Sequence, residues 1–344
     1  MRRMELKLDV SGAREAPAGP LELAVSVFAP DPASIPDPPI ALFAIAGGGY
    51  ARGYFDMRFA GHEGYSQAEH HTARGVLLIA LDPLGVGSSS LPELTQISFG
   101  SLASTYDRAV RTLADRIRAG TLLPGLPALP RALLLGIGQS MGGCISILTQ
   151  AHHGTFDAIA PLGYSAIHTM LPQRTEQARR QAAEAHQFSA HASLMADTIA
   201  KSSAQIADFV YPFHWEDVPP DILAADLEGG YPLRRTVPPF GSKSIPTCAV
   251  RMMSPGIVKA EAASITVPVF IGVGERDVCP DPHAEPSAYR GSPDITLLVV
   301  PRMAHMHNFA GTRQRLWNRL LQWTAAISQE RATWAAPHSK ENTQ

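Results

Sequence analysis

Leu133-Leu134-Leu135-Gly136-Ile137-Gly138-Gln139-Ser140-Met141-Gly142-Gly143 joins an apolar run to a segment able to form a helix, through Gly-Gln-Ser-Met-Gly. A strand that turns this sharply into a helix forces its apex residue into a strained conformation. Glycines two before and two after keep neighbouring chains from colliding with it. Ser140 is the apex, held at a helix N-terminus that favours developing negative charge. A serine hydroxyl is a poor nucleophile at neutral pH and needs a base.

Outward from this turn, short apolar runs recur at 40–46, 76–81, 132–137, 159–162, 267–273 and 295–300, each followed by Gly, Pro or Asp. Runs with so little alternation read as strands covered on both faces, which predicts a mostly parallel sheet. An earlier run at 21–28 alternates as a half-buried strand does. Helical stripes lie between them: a segment capped by Thr105 with Tyr106, Ala109, Val110, Leu113 and Ile117, a buried helix over 141–153, and a closing helix over 313–327. Strand and helix in alternation predict an α/β, doubly wound sheet with helices on both faces. The rhythm breaks at 165–264, where no strand pattern is found. A structureless loop of that length is implausible, so this stretch reads as an inserted, largely helical cap. The expected division is a core of 1–164 and 265–334, a cap of 165–264, and a loose tail over 335–344.

Composition narrows the function. The 344 residues carry 29 Lys+Arg against 31 Asp+Glu, a net charge of −2 that offers no basic excess for a phosphate backbone. Nucleic acid is therefore not an expected partner. Hydrophobic residues make up 45%, enough for a large core, yet no run is long enough to span a bilayer. The start, Met1-Arg2-Arg3-Met4-Glu5-Leu6, lacks the apolar stretch of a secretory signal. The three cysteines Cys144, Cys248 and Cys279 do not suggest a disulfide framework. A cytoplasmic protein without membrane association is expected. Oligomeric state is open, and a homo-oligomer is compatible with the sequence.

A base for Ser140 is offered by Pro301-Arg302-Met303-Ala304-His305-Met306-His307, after the last strand run. His305 is the expected base and His307 the competitor. The base needs an acceptor to fix its tautomer. Gly274-Glu275-Arg276-Asp277 ends a strand run with two acids, of which Asp277, just beyond it, is preferred. Oxyanion donors are expected from the Met141 amide and from Ala46-Gly47-Gly48-Gly49-Tyr50, where Gly48 and Gly49 let backbone amides approach a reacting oxygen. A phosphate loop would want Lys-Ser/Thr after the glycines, and Ala51-Arg52-Gly53 follows instead.

These residues resemble the α/β-hydrolase superfamily: the elbow 138–143, the acid loop 274–277, the histidine loop 301–305 and the turn Asp82-Pro83-Leu84-Gly85-Val86-Gly87-Ser88. The order Ser140, Asp277, His305 is the one that fold uses. Two departures stand out: Ala46 replaces the usual His before the oxyanion glycine, and Ala304 the usual Gly before the histidine. In this superfamily such an insertion roofs the acyl pocket, with Tyr50, Phe188, Tyr211, Phe213, Trp215 and His307 as candidate substrate contacts. His214 reads as a polar tip at a pocket rim, and His70-His71 and His152-His153 as solvated helix ends. Cys279 and His283 lack further ligands, so no metal is expected, and no cofactor.

The expected activity is a serine hydrolase cleaving a small-molecule carboxylic ester or lactone with an apolar or aromatic substrate, through an acyl-enzyme. A C–C bond hydrolase or cofactor-free peroxidase would keep the same residues. A ligand-binding protein that has lost chemistry is the non-enzyme alternative. A dehalogenase with an aspartyl nucleophile is disfavoured by the serine at the elbow.

Overall fold

The computed structural model describes residues 1–180, 210–231 and 234–335, with side chains to 330. Its strands are β1 (Arg2–Asp9), β2 (Glu22–Ala29), β3 (Ile40–Ile45), β4 (Leu77–Leu81), β5 (Leu133–Gln139), β6 (Ala158–Leu162), β7 (Val269–Arg276) and β8 (Ile295–Ala304). They form one sheet in the order β1-β2-β4-β3-β5-β6-β7-β8, antiparallel at β1–β2 and β2–β4 and parallel from β4 through β8.

The central strands read as continuous apolar runs because both faces are covered. Along β3, Ala41, Phe43 and Ile45 enter one core, against α2 (Phe99–Ala119) and α3 (Met141–His153). Ile40, Leu42 and Ala44 enter the other, against α1 (Gln67–Thr72) and the last helix, Arg313–Ala335. Trp317 and Leu320 of that helix are buried there, each such side chain contributing roughly 2 kcal/mol or more.

The chain leaves β3 toward β4 on one side, whereas β5 leads to β6 on the other. The carboxyl ends of β3 and β5 therefore flank a point where strand order reverses, the place where open α/β sheets form a crevice. The glycine loop after β3 and Ser140 after β5 both stand at that point.

The structure adds one strand and corrects two expectations. β1 is a strand that the sequence reading passed over; its exposed Arg3, Glu5 and Lys7 alternate with Met4, Leu6 and Leu8, as an edge strand's should. Helix α2 begins at Phe99, not at Thr105. Ser98 caps it, its side chain accepting from Ser101 N–H while Ser101 returns a bond to the Ser98 backbone. Thr105 lies inside, its hydroxyl donating to the Ser101 carbonyl at 2.7 Å. His71 is buried rather than solvated, its Nδ1 2.9 Å from the Gln67 carbonyl, and burial pushes its imidazole down to about 3.

Between β6 and β7 the described residues hold short elements only, including α4 (Val210–Phe213), α5 (Pro220–Leu227) and α6 (Lys259–Ser264). Residues 176–180 are helical, and much of the helical cap expected over 165–264 falls outside the described residues. No helix among the described residues is long and apolar enough to cross a membrane.

Candidate active site

Ser140 sits between β5 and α3 at φ 54°, ψ −116°, a conformation costing a side-chain-bearing residue roughly 1–3 kcal/mol. Its surroundings over-determine it. The Ser140 amide donates to the Leu162 carbonyl at 2.8 Å, and its carbonyl accepts from Cys144 N–H at 3.2 Å. The flanking glycines are sterically required: a Cβ on Gly138 would lie 2.0 Å from the Gly142 carbonyl oxygen, and one on Gly142 2.2 Å from that of Ile45. The start of α3 can thus abut β5 and β3 only with hydrogen at these positions.

His305 arrives from the loop that follows β8. Its Nε2 is 3.0 Å from Ser140 Oγ, and its Nδ1 2.7 Å from Asp277 Oδ1. Three anchors hold this loop. Gln139 Nε2 donates to the His305 carbonyl at 2.8 Å, and His305 N–H to the Pro212 carbonyl at 3.2 Å. Asn308 is fixed by the Tyr54 hydroxyl, the Tyr54 carbonyl, Gln67 and the indole of Trp317.

Asp277 lies just past β7, where a register shift between Gly274 and Arg276 interrupts pairing with β8 and turns the chain inward. Each carboxylate oxygen accepts two bonds. Oδ1 takes His305 and the Val278 amide at 2.7 Å; Oδ2 takes the Gly274 amide at 2.8 Å and His307 Nε2 at 2.6 Å. Burial alone would raise this carboxyl, but His307, then His305, outweigh it and hold the group well below the usual carboxylate range. Two imidazoles fit beside one carboxylate because Gly163, at φ 54°, faces both. A Cβ there would come within 3.2 Å of His305 Nδ1 and His307 Nε2.

The two histidines of the loop therefore occupy different places. His305 bridges Ser140 and Asp277, and His307 holds the acid's far oxygen. Of the two acids, Asp277 points inward, whereas Glu275 is exposed and accepts from the Arg302 amide at 2.8 Å.

The glycine loop passes beside the serine: a Cβ on Gly47 would lie 3.1 Å from Ser140 Cβ. Met141 opens α3, so its amide has no acceptor within the helix. Asp82, after β4, is buried and supports this end of the sheet. It accepts from the Arg52 amide at 2.6 Å and the Ser88 amide at 2.9 Å, and pairs with the Arg52 guanidinium. Burial raises its carboxyl, with Arg52 opposing.

The other named positions fall in varied places. The ring of Phe213 stands 5.3 Å from that of His305. Tyr50 is buried with its hydroxyl 2.8 Å from Asp226 Oδ2. Tyr211 and Trp215 stack on Arg276, whose guanidinium carbon is 4.0 and 4.5 Å from their ring centres. Phe188 lies outside the described residues. His214 is corrected from a rim residue to a buried one, its Nε2 2.8 Å from Asp226 Oδ2. Gln139 and the Asp226–Arg234 pair were missed by the sequence reading. Gln139 could have been flagged as an amide between a buried strand and the apex, whereas the pair's role depends on contacts no local pattern encodes. Among the described residues, no group of three or more His, Cys, Asp or Glu is placed to hold a metal ion.

No family model and no curated protein sequence matches the chain. Solved structures do. An esterase from Thermogutta terrifontis is 14% identical at a TM-score of 0.62, over 94% of this chain and 99% of that one. A proline iminopeptidase from Mycobacterium smegmatis is 17% identical at 0.59, over 94% and 99%. A haloalkane dehalogenase variant from Bradyrhizobium elkanii is 13% identical at 0.60, over 96% and 99%. Activities differ among these neighbours while the architecture persists, and at such identities the likeness speaks for architecture alone. With its strand order, its serine at the β5–α3 turn and these neighbours, the chain has the α/β-hydrolase fold.

Proposed function

We propose that the protein is a serine hydrolase that cleaves a carboxylic ester or lactone through an acyl-enzyme. The observation that carries this is the unbroken run of short contacts from Ser140 Oγ through both nitrogens of His305 to Asp277 Oδ1. His305 Nε2 takes the proton of Ser140 as Oγ bonds to the substrate's carbonyl carbon. The carbonyl π electrons move to oxygen, where the amides of Met141 and of Gly48 or Gly49 receive the charge. Collapse of this intermediate breaks the bond to the alkoxide, which leaves with the proton from His305. Water then adds in the same way, giving the acid and free Ser140. Asp277, ionised throughout, orients the imidazole and offsets its transient charge. The aromatic rings of Phe213 and of the neighbouring cap segment favour an apolar or aromatic acyl group. Cytoplasmic placement and a cap spanning 165–264 remain parts of this proposal.

The test is a panel of p-nitrophenyl esters of rising acyl length, with aromatic esters and lactones, followed at early times. At least one member is expected to release nitrophenol in a burst equal to the enzyme concentration. Steady turnover with no covalent intermediate, or no turnover across the panel, would count against the reading.

His307 gives a pH prediction. The Asp277 carboxyl sits below its ordinary value of about 4, so its stabilising effect is complete above that pH and is lost as pH falls toward the depressed folded value. His307→Phe removes the largest counterweight to burial and raises this carboxyl. The acid-side loss of Tm is then expected at a pH higher by about 1 unit. His307→Gln, which restores an N–H donor, should recover part of the shift; superimposable wild-type and His307→Phe profiles would refute it.

A further inference from the structure

Three glycines in succession have no conformational preference of their own, so the direction of the amides at 47–49 must be imposed from outside. The imposing groups come from residues 226–242. Ser242 N–H donates to the Gly49 carbonyl at 3.0 Å, and Ala51 N–H to that of Phe240 at 2.9 Å, so the loop is held as if by a neighbouring strand. Two side chains add to this. The Tyr231 hydroxyl donates to the Gly48 carbonyl at 3.3 Å, and Arg234 Nε to the Gly49 carbonyl at 3.4 Å. Arg234 is itself fixed. Its Nη2 donates to Asp226 Oδ1 at 2.9 Å, its Nη1 to the Asp226 carbonyl, and its guanidinium carbon lies 5.3 Å from the ring centres of both Tyr50 and Tyr231. The other Asp226 oxygen, Oδ2, accepts from the Tyr50 hydroxyl and faces His214 Nε2, both at 2.8 Å.

This ion pair is sealed from water, the Arg234 and Asp226 side chains being 0% and 1% exposed. A buried pair of this kind is weak as a source of stability, because desolvation offsets most of the attraction; what it can supply is one defined arrangement. Here that arrangement reaches the glycine loop. In a planar trans peptide the C=O and N–H point in opposite directions, so a donor on one fixes the other. The bond to the Gly48 carbonyl sets the Gly49 amide. Bonds to the Gly49 carbonyl set the Tyr50 amide, which donates to the Gly47 carbonyl at 3.1 Å and thereby sets the Gly48 amide.

We propose that Tyr231 and Arg234, anchored on Asp226, are positioning residues that aim the Gly48 and Gly49 amides at the oxyanion. The inference rests on the acyl-transfer reading above and adds that the oxyanion donors are oriented by residues beyond β6.

The test uses two variants: Tyr231→Phe, which retains the ring, and Arg234→Lys, which retains a cation for Asp226 but loses the guanidinium's bonds and stacking. Each is assayed with an ester and its thionoester, whose C=S sulfur is a weak acceptor that benefits little from oxyanion donors. With the ester, kcat is expected to fall about tenfold with KM within about twofold, a fraction of the roughly 10²–10³ lost when a donor is removed outright. With the thionoester, kcat/KM should change by less than about twofold. Parallel losses on both substrates, or no loss on either, would overturn the inference while leaving Ser140 chemistry standing. Absence of ester turnover in the wild-type protein would overturn the parent reading, and this one with it.

Discussion

Ser140→Ala is expected to lower kcat on any ester the protein cleaves by about 10⁴- to 10⁶-fold, with the melting temperature nearly unchanged. The size follows from the role: without the hydroxyl no acyl-enzyme forms, and only substrate binding and the oxyanion donors remain. The fold should tolerate the change because neither backbone bond that holds the apex uses the side chain. Alanine also inherits the same φ of 54°, leaving the strain as it was. Circular dichroism melting beside steady-state kinetics separates the outcomes. Wild-type turnover in a folded Ser140→Ala protein would remove the serine from the chemistry.

Asp277→Asn should be nearly as severe, lowering kcat by about 10⁴-fold, and unlike the first it should also destabilise. The carboxylate faces donors on both sides: His305 and the Val278 amide at one oxygen, His307 and the Gly274 amide at the other. A carboxamide has one oxygen and one NH₂, so whichever way it turns, its NH₂ meets a backbone N–H that cannot move aside. The loss is on the order of 3 kcal/mol, the cost of breaking a buried charged network by removing one partner. If the NH₂ faces His305, the imidazole must adopt the tautomer that cannot accept the serine proton. Kinetics at saturating ester, together with urea unfolding, check both parts. An Asn variant with full activity would mean that His305 needs no carboxylate.

How far the letters foretold this arrangement depends on how local each signal is. The turn at Ser140 was legible because its geometry is written in five neighbouring residues, with glycine needed where β5 and α3 touch. The placement of Asp277 and His305 near Ser140 was legible because each lies within a few residues of the end of an apolar run. His305 is preferred over His307 in the sequence only by position in the loop; what separates them is contact with Ser140, far off in the chain, which His305 alone of the two makes while His307 holds the second oxygen of Asp277. Strand β1 is hard to see in the sequence because every second residue of its short alternation, Arg3, Glu5 and Lys7, is charged and exposed. Helix α2 was begun too late because Phe99-Gly100-Ser101 is a weak helix start, rescued by the reciprocal Ser98–Ser101 cap. His214 was misplaced for a deeper reason. Its burial depends on Asp226, Arg234 and Tyr50, and a polar residue buried by distant partners looks in sequence like one facing water.

The register shift at the end of β7 belongs to the same class. Nothing in Gly274-Glu275-Arg276-Asp277 announces that pairing with β8 slips there, yet the slip brings Asp277 rather than Glu275 to the histidines.

The central claim, that Ser140 is an activated nucleophile, is met most directly by exposing the folded wild-type protein to a fluorophosphonate and mapping the modified peptide by mass. One adduct per chain is expected, on Ser140, abolished by Ser140→Ala and strongly slowed by His305→Gln. A folded protein that takes up no probe, or takes it up at another residue, would contradict it.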